Sequence, residues 1–441
     1  MTEATNDTTS PVRPLRDALT FLLIVSATFG LQLLTLVTGI IMARLLGVEG
    51  RGVIALVLAV SVFAAQLSFG GCLPPAITKL LAERGANARD GLGHVFRRRG
   101  WLLLLPCLVA GGLMLVLLDD GAAGQRFEIA VIAVVVTLQT LFFSIIGGAM
   151  QGEGRLVRMA WVALTPQGLF TIALAVVAAL DWGWSATDVL LAYIATGVLS
   201  VLVAMASLLP AERGDDVGAE RRVPEASLWS EARGNYVSGV RPLDGLGLER
   251  ILVGGLLGTT ALGLFATGLA VSNLCRLVSN AVSVVVLPRV AAHQGDPAQQ
   301  RAVVRRWFTI SLVLVGGIVA VLELLVEPVI RLAFGEEFVG AVSVARWLIV
   351  ADGLLALRRV LIAALQGQGR GGVASWVELA LLPVLVVGIA LSALRESLDG
   401  VGMSLAAVGL LSCLALGRAV FRAPSARHRG RATSCTQQRR W

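Results

Sequence analysis

Residues 43–61 read ARLLGVEGRGVIALVLAVS, and 211 positions later residues 254–272 read GGLLGTTALGLFATGLAVS. Nine of the 19 aligned positions are identical: Leu45/Leu256, Leu46/Leu257, Gly47/Gly258, Gly52/Gly263, Ala55/Ala266, Leu58/Leu269, Ala59/Ala270, Val60/Val271 and Ser61/Ser272. Each stretch joins two long apolar runs through a turn. A second echo pairs AMQGEGR at 149–155 with ALQGQGR at 364–370, displaced by 215. A weaker third sets Arg98-Arg99-Gly100-Trp101 against Arg305-Arg306-Trp307. Three echoes in one order, at nearly one spacing, predict two homologous halves. An apolar chain with an internal repeat is the pattern of a membrane transporter.

Composition points the same way. Of 441 residues, 56% are hydrophobic and 15% charged, and the mean hydropathy is +0.80. A soluble chain of this length has nowhere to hide so much apolar surface. Backbone polar groups in lipid need internal partners, so the spans are expected to be helices, and the strand alternation of a barrel is missing. The expected fold class is an all-α polytopic membrane protein.

Twelve apolar runs fit a core of about 30 Å. Six fall at 18–46, 53–81, 101–118, 127–150, 157–180 and 189–209. Six more fall at 236–257, 261–287, 308–334, 340–365, 373–394 and 401–420. The chain divides into a polar tail (1–14), a six-helix bundle (15–209), a charged linker (210–233), a second bundle (234–420) and a basic tail (421–441). The tail at 1–14 lacks the basic n-region and short apolar run of a cleaved signal, so the first span is expected to stay. Six is even, so both halves should enter the membrane in the same direction, as parallel repeats. Basic residues crowd alternate loops: Lys79 to Arg99 around the 2–3 loop, Arg155 and Arg158 in 4–5, Arg213 to Arg233 in 6–7, and Arg289 to Arg306 in 8–9. The 5–6, 7–8 and 9–10 loops carry no Lys or Arg. This asymmetry predicts that both termini lie in the cytoplasm.

The net charge of +8 therefore follows membrane topology, with no sign of a nucleic-acid partner. The five cysteines are scattered, and His94, His293 and His428 stand alone in basic segments, so no metal site is expected. No GxxxxGK[ST] phosphate loop is found and no cofactor is expected.

The segment RLLGVEGRGVIALVLAV, followed by GGCLPPAITKLLAERG, resembles the start of a polysaccharide or lipid-linked-oligosaccharide flippase of the multidrug/oligosaccharidyl-lipid/polysaccharide exporter superfamily. LERILVGGLLGTTALGLFATGLAVSNL, VVLPRVAAH, VIRLAFGEEF and ALQGQGR are similar to that family's second half. The resemblance implies two six-helix bundles around a central cavity, worked by alternating access. It implies a polyprenyl-diphosphate-linked glycan as cargo, a bacterial inner membrane, membrane lipids around the protein, and a polysaccharide polymerase or export machinery as partners. No covalent chemistry is implied. Two departures bear on the branch. Lipid II flippases of the superfamily carry two further C-terminal helices, and ion-coupled drug exporters place acids in the first-half helices. Spans 1 to 6 carry no Asp or Glu in their apolar body. Other readings are a drug exporter, which would want an acidic cavity, a membrane glycosyltransferase or polymerase, which would want a large outer loop, and a scaffold.

A diphosphate head group calls for arginine, which stays charged and forks onto phosphate oxygens. Each charge inside a span is a candidate site. Arg276 sits in span 8 with Ser272 and Ser279 at helical i, i+4, i+7 spacing. It reads as a cavity base, or as a structural partner of an acid in span 7. Span 7 carries Arg241, Asp244, Glu249 and Arg250 among Pro242, Gly245 and Gly247. These residues read as a bendable gating helix with Asp244 or Glu249 as coupling acid, or as a late-starting span. Arg358 and Arg359 lie deep in span 10, about 100° apart around the helix. One of them is expected to face the cavity while the other pairs with Asp352 or Glu378. Arg44 and Lys79 close spans 1 and 2, either as snorkelling anchors or as part of the path.

Overall fold

The computed structural model describes residues 12–84, 100–118, 123–180, 183–208, 228–233, 236, 243, 245–293 and 296–422. The expected tail at 1–14 (up to residue 11), the basic tail from residue 423 and most of the linker lie outside the described residues. Among the described residues the chain is helical, without strands: α1 (Val12–Ala65), α2 (Leu73–Arg84), α3 (Leu104–Leu117), α4 (Ala123–Gly152), α5 (Leu156–Ala179), α6 (Ala186–Ser207), α7 (Leu248–Ser272), α8 (Arg276–Ala291), α9 (Pro297–Val329), α10 (Ala341–Gly367), α11 (Gly371–Ala393) and α12 (Leu398–Phe421).

Helix α1 is two spans in one. Ser26–Gly70 is a 45-residue apolar stretch, about 68 Å long if straight, twice what one crossing needs. It folds back at Gly47, whose φ of 65° and ψ of −169° fall in a region open almost solely to glycine. Its repeat partner Gly258 does the same in α7, with φ 86° and ψ 172°. The helix resumes on the next residue in both halves, so each turn is one glycine long.

The second echo is structural too. Gly154 and Gly369 have φ of 73° and 72°. The N–H of Arg155 reaches Met150 O and that of Gly154 reaches Gln151 O. Arg370 and Gly369 make the matching bonds to Leu365 and Gln366. Both are Schellman caps, which satisfy the orphan carbonyls at a helix end. In each, the arginine then donates to a carbonyl near the close of its half's last helix, Ser207 O or Ala419 O.

The halves cross at the kinks. A Cβ on Gly52 would stand 1.8 Å from Thr259 O, and one on Gly263 would stand 2.0 Å from Val48 O. Residues 259 and 263 are 48 and 52 displaced by 211, so the contact is reciprocal. Two backbones meet where any side chain would hold them apart. Around the crossing, Leu56, Val57 and Val60 pack with Val253, Leu262 and Phe265.

Helix α10 carries four charged residues, Arg346, Asp352, Arg358 and Arg359, in 27 residues. Arg358 is fully buried, and its Nη2 donates to Glu378 Oε1 of α11. This pair is internal to the second bundle. The first bundle has Phe143 at the position of Arg358, 215 residues earlier.

In the linker, Leu228, Trp229 and Ala232 are buried against Leu73, Ile77 and Leu81 of α2. Trp229 meets Phe69 edge to face at 5.6 Å. Residues 228–233 are thus a helical turn docked on the first bundle, although the linker as a whole reads as polar.

Two predictions follow from this packing. Gly52→Ala lowers the thermal midpoint of the purified protein through a clash costing about 1–3 kcal/mol, whereas Gly112→Ala, which meets nothing within 4 Å, leaves it unchanged. Glu378→Ala strands a buried guanidinium at a cost of about 3–5 kcal/mol and reduces the yield of monodisperse protein. The double change Arg358→Met/Glu378→Leu restores most of that yield.

Candidate functional site: a charged cavity between the halves

Below the crossing, the second limb of α1 faces α7, α8 and α10 across a cavity of 180 Å³. Ala59 and Val62 line it from the first half. Glu249, Arg250, Arg276, Asp352, Leu348 and Leu405 line it from the second.

Its acidic floor comes from α10. Asp352 is 2% exposed. Its Oδ1 accepts from Arg276 Nη2 at 2.9 Å and Nε at 3.2 Å. Its Oδ2 accepts from Ser272 Oγ at 2.5 Å. A short 3-10 turn, Asn273–Cys275, separates α7 from α8, yet Ser272 and Arg276 keep a common face toward Asp352, as their spacing predicts. The Ser279 side chain lies outside the described residues. Among the described residues, the acid that meets Arg276 is on span 10. Arg276 keeps 21% of its side chain exposed while its partner keeps 3%.

The other wall is the start of α7. Gly247, in the left-handed region at φ 62°, precedes the helix, which starts at Leu248. Glu249 lies in the first helical turn, where the positive end of the helix favours a carboxylate. Arg250 Nε stands 3.8 Å from Glu249 Oε1. That is an ion pair too long for a hydrogen bond. Arg241 and Asp244 lie outside the described residues.

The cavity is therefore not simply basic: two arginines face two carboxylates. Among the described residues two guanidinium groups line it: Arg276 is hydrogen-bonded to Asp352, and Arg250 has only the longer ion pair with Glu249. An anion entering at Arg276 would bind by exchange, taking over donors that Asp352 now occupies.

The remaining candidates lie elsewhere. Arg358 is sealed against Glu378, so it does not line the cavity, and Asp352 belongs to Arg276. Arg359 is half-buried on α10 and is not part of the lining. Lys79 is half exposed and bonds Glu231 of the linker at 2.7 Å. Arg44 sits at the kinked end. Its Nε donates to Ala333 O at 2.8 Å, and its Nη2 donates to Leu332 O.

Two residues escape a reading of the sequence as separate spans. Asp352 figures there only as a partner for Arg358 or Arg359, although a carboxylate in a span body is itself a signal. Arg51 stands inside the repeat, where the other half has Leu262, and is 4% exposed. Its Nη1 donates to Gly39 O at 2.6 Å and its Nη2 to Ala266 O of α7 at 3.3 Å. Its guanidinium lies 4.9 Å from the Phe334 ring and 5.9 Å from Phe338.

The comparisons with known proteins match this architecture. Residues 246–343 match the family described as polysaccharide biosynthesis protein. No curated protein matches the chain in sequence. Among solved structures, the chain is similar to the lipid II flippase MurJ in an inward closed conformation, with TM-score 0.71 and 14% identity, covering 91% of this chain and 88% of that one. It is similar to an inward-facing multidrug resistance MATE family transporter of the MOP superfamily, with TM-score 0.67 and 17% identity, covering 88% and 94%. It is also similar to a MOP superfamily transporter from Pyrococcus furiosus described as having a binding pocket of reverse polarity, with TM-score 0.57 and 16% identity, covering 91% and 94%. The chain has the fold of the multidrug/oligosaccharidyl-lipid/polysaccharide exporter superfamily of multi-pass membrane transporters, and residues 246–343 match the polysaccharide biosynthesis family.

Proposed function

We propose that the protein is a flippase that moves a polyprenyl-diphosphate-linked oligosaccharide from the cytoplasmic to the outer leaflet, for surface polysaccharide assembly. The observation that carries this reading is the pair of arginines, Arg250 and Arg276, on the cavity between the halves. Moving a diphosphate and its glycan through hydrocarbon is prohibitive without polar partners. A cavity lined by guanidinium groups supplies them, and the polyprenyl tail stays in the bilayer. Arg276 takes a phosphate oxygen as its hold on Asp352 loosens, and Ser272 keeps that carboxylate hydrogen-bonded meanwhile. Glu249 and Asp244 are the groups through which an ion gradient would couple. The glycan crosses with no bond made or broken. The match to a polysaccharide biosynthesis family supports the choice of cargo, and the alternation of basic loops supports a bacterial inner-membrane setting with cytoplasmic termini. A polymerase or export machinery would then take the glycan on the far side.

One observation favours a second reading, an exporter of organic cations. Glu249 and Asp352 give the cavity two carboxylates, and the MATE transporters share the fold. The two readings differ in which charge the cargo needs.

The deciding measurement uses protein in vesicles with a polyprenyl-diphosphate-linked oligosaccharide, following the glycan's arrival on the opposite face. Arg276→Ala is expected to lower the rate at least tenfold while the protein stays monodisperse. Movement at the parent rate would remove Arg276 from the site. No glycan movement in either protein, with efflux of an organic cation that fails in Glu249→Gln, would favour the exporter.

A further inference from the structure

The two arginines at the kinked end face neutral oxygen atoms. Arg44 donates to the carbonyls of Leu332 and Ala333, in the π turn (Ile330–Phe334) that closes α9. Such terminal carbonyls lack helical partners and carry the negative end of the helix dipole. Arg51 donates to Gly39 O in its own half and Ala266 O in the other, with Phe334 and Phe338 beneath it. Arg51 Nε is buried without a hydrogen-bond partner. Neither arginine forms an ion pair among the described residues. Both side chains come from the first half and reach the second, Arg44 by hydrogen bonds to Leu332 and Ala333, Arg51 by a bond to Ala266 O and by ring contacts with Phe334 and Phe338. They do so beside the crossing where Gly52 meets Thr259 O.

This arrangement holds the halves together, and it can be undone by an anion. A guanidinium binds a phosphate more strongly than a neutral carbonyl, and in a forked geometry that carbonyls do not offer. Cation–π contacts add to the closed state without adding a counter-charge. Arg51 is the buried cation of the two, an uncompensated charge that an anion would stabilise, and Arg44 is exposed, where an entering anion meets it first.

We propose that Arg44 and Arg51 form a latch across the kinked end that the diphosphate of the cargo releases by binding both guanidinium groups. The latch is then a second anion site, separate from the Arg250–Arg276 cavity and used when this end opens. It ties opening to the presence of an anionic head group. The identity of the anion rests on the flippase reading; the latch geometry does not.

The test uses the full chain in detergent, with its cysteines replaced and Thr259→Cys placed at the crossing. The rate of labelling by a bulky maleimide reports separation of the halves. The probes are farnesyl diphosphate, inorganic diphosphate and farnesol, in separate arms. The parent is expected to label slowly, and at least threefold faster with either diphosphate. Farnesol alone is expected to leave it unchanged. Arg44→Gln/Arg51→Gln is expected to label at least threefold faster at rest and to ignore diphosphate. The double lysine variant keeps both charges but has no fork to span two carbonyls, so it is expected to elute as the parent does and to label faster at rest. Parent-like resting rates in both variants would overturn the latch, and so would a diphosphate response that survives in the glutamine variant. Glycan movement in vesicles is scored separately. A diphosphate-responsive end with no glycan movement would sink the flippase reading alone. Glycan movement with an end indifferent to diphosphate would sink the latch alone.

Discussion

The structure depends on one contact, the mutual approach of two backbones at Gly52 and Gly263. In a bilayer, lipid tails solvate apolar side chains as well as other helices do, so the hydrophobic effect does little to hold two bundles together. Close packing and polar bonds must do it. At the crossing, each glycine admits a carbonyl of the other half to within 2.0 Å of where a Cβ would stand. Gly47 and Gly258 make this possible by reversing the chain in a single residue. Because the contact is reciprocal, it sets the axis that relates the halves. Below it the second limb of α1 and helices α7, α8 and α10 separate, and the cavity fills the space between them.

Three charged sites inside the membrane differ in kind, and burial tells them apart. Arg358 and Glu378 are sealed within one bundle and are exposed to nothing, so they behave as a structural unit. Arg276 and Asp352 sit on the cavity wall, with the acid buried and the base partly open, so the base can trade partners. Arg51 has only carbonyls and ring faces, and its place between the halves makes its surroundings depend on whether they touch. Three arginines of one residue type thus differ in role because their acceptors differ.

The two halves have diverged in polarity while keeping their backbone. Displacing by 211 and 215 sets Ala65 against Arg276 and Thr137 against Asp352. Ala65 and Thr137 are buried and neutral. Ser61 and Ser272 are retained in both halves, but Ser61 donates to the carbonyl of Ala133 where Ser272 serves Asp352. The second half therefore holds the ionic chemistry of the cavity, while Arg44 and Arg51 place the first half's charge at the crossing.

The repeat and the helical class were legible because each is written locally. Apolar runs have the length of a bilayer, and Gly47/Gly258 and Gly154/Gly369 occupy backbone conformations that no other residue accepts cheaply. Arg276 stood out because a charge in hydrocarbon needs a partner, and its common face with Ser272 followed from helical spacing. Which partner it takes was not legible. Asp352 is 76 residues away, and only the packing of α10 against the α7–α8 junction brings it within 2.9 Å. The same holds for Arg358, whose partner could equally have been Asp352 on spacing alone. Arg51 passed as a turn residue in the repeat because its acceptors, Ala266 O and the Phe334 and Phe338 rings, belong to the other half. Sequence determines what each span can bury. Only the tertiary structure decides which charge meets which acceptor, because that choice is made between helices far apart in the chain.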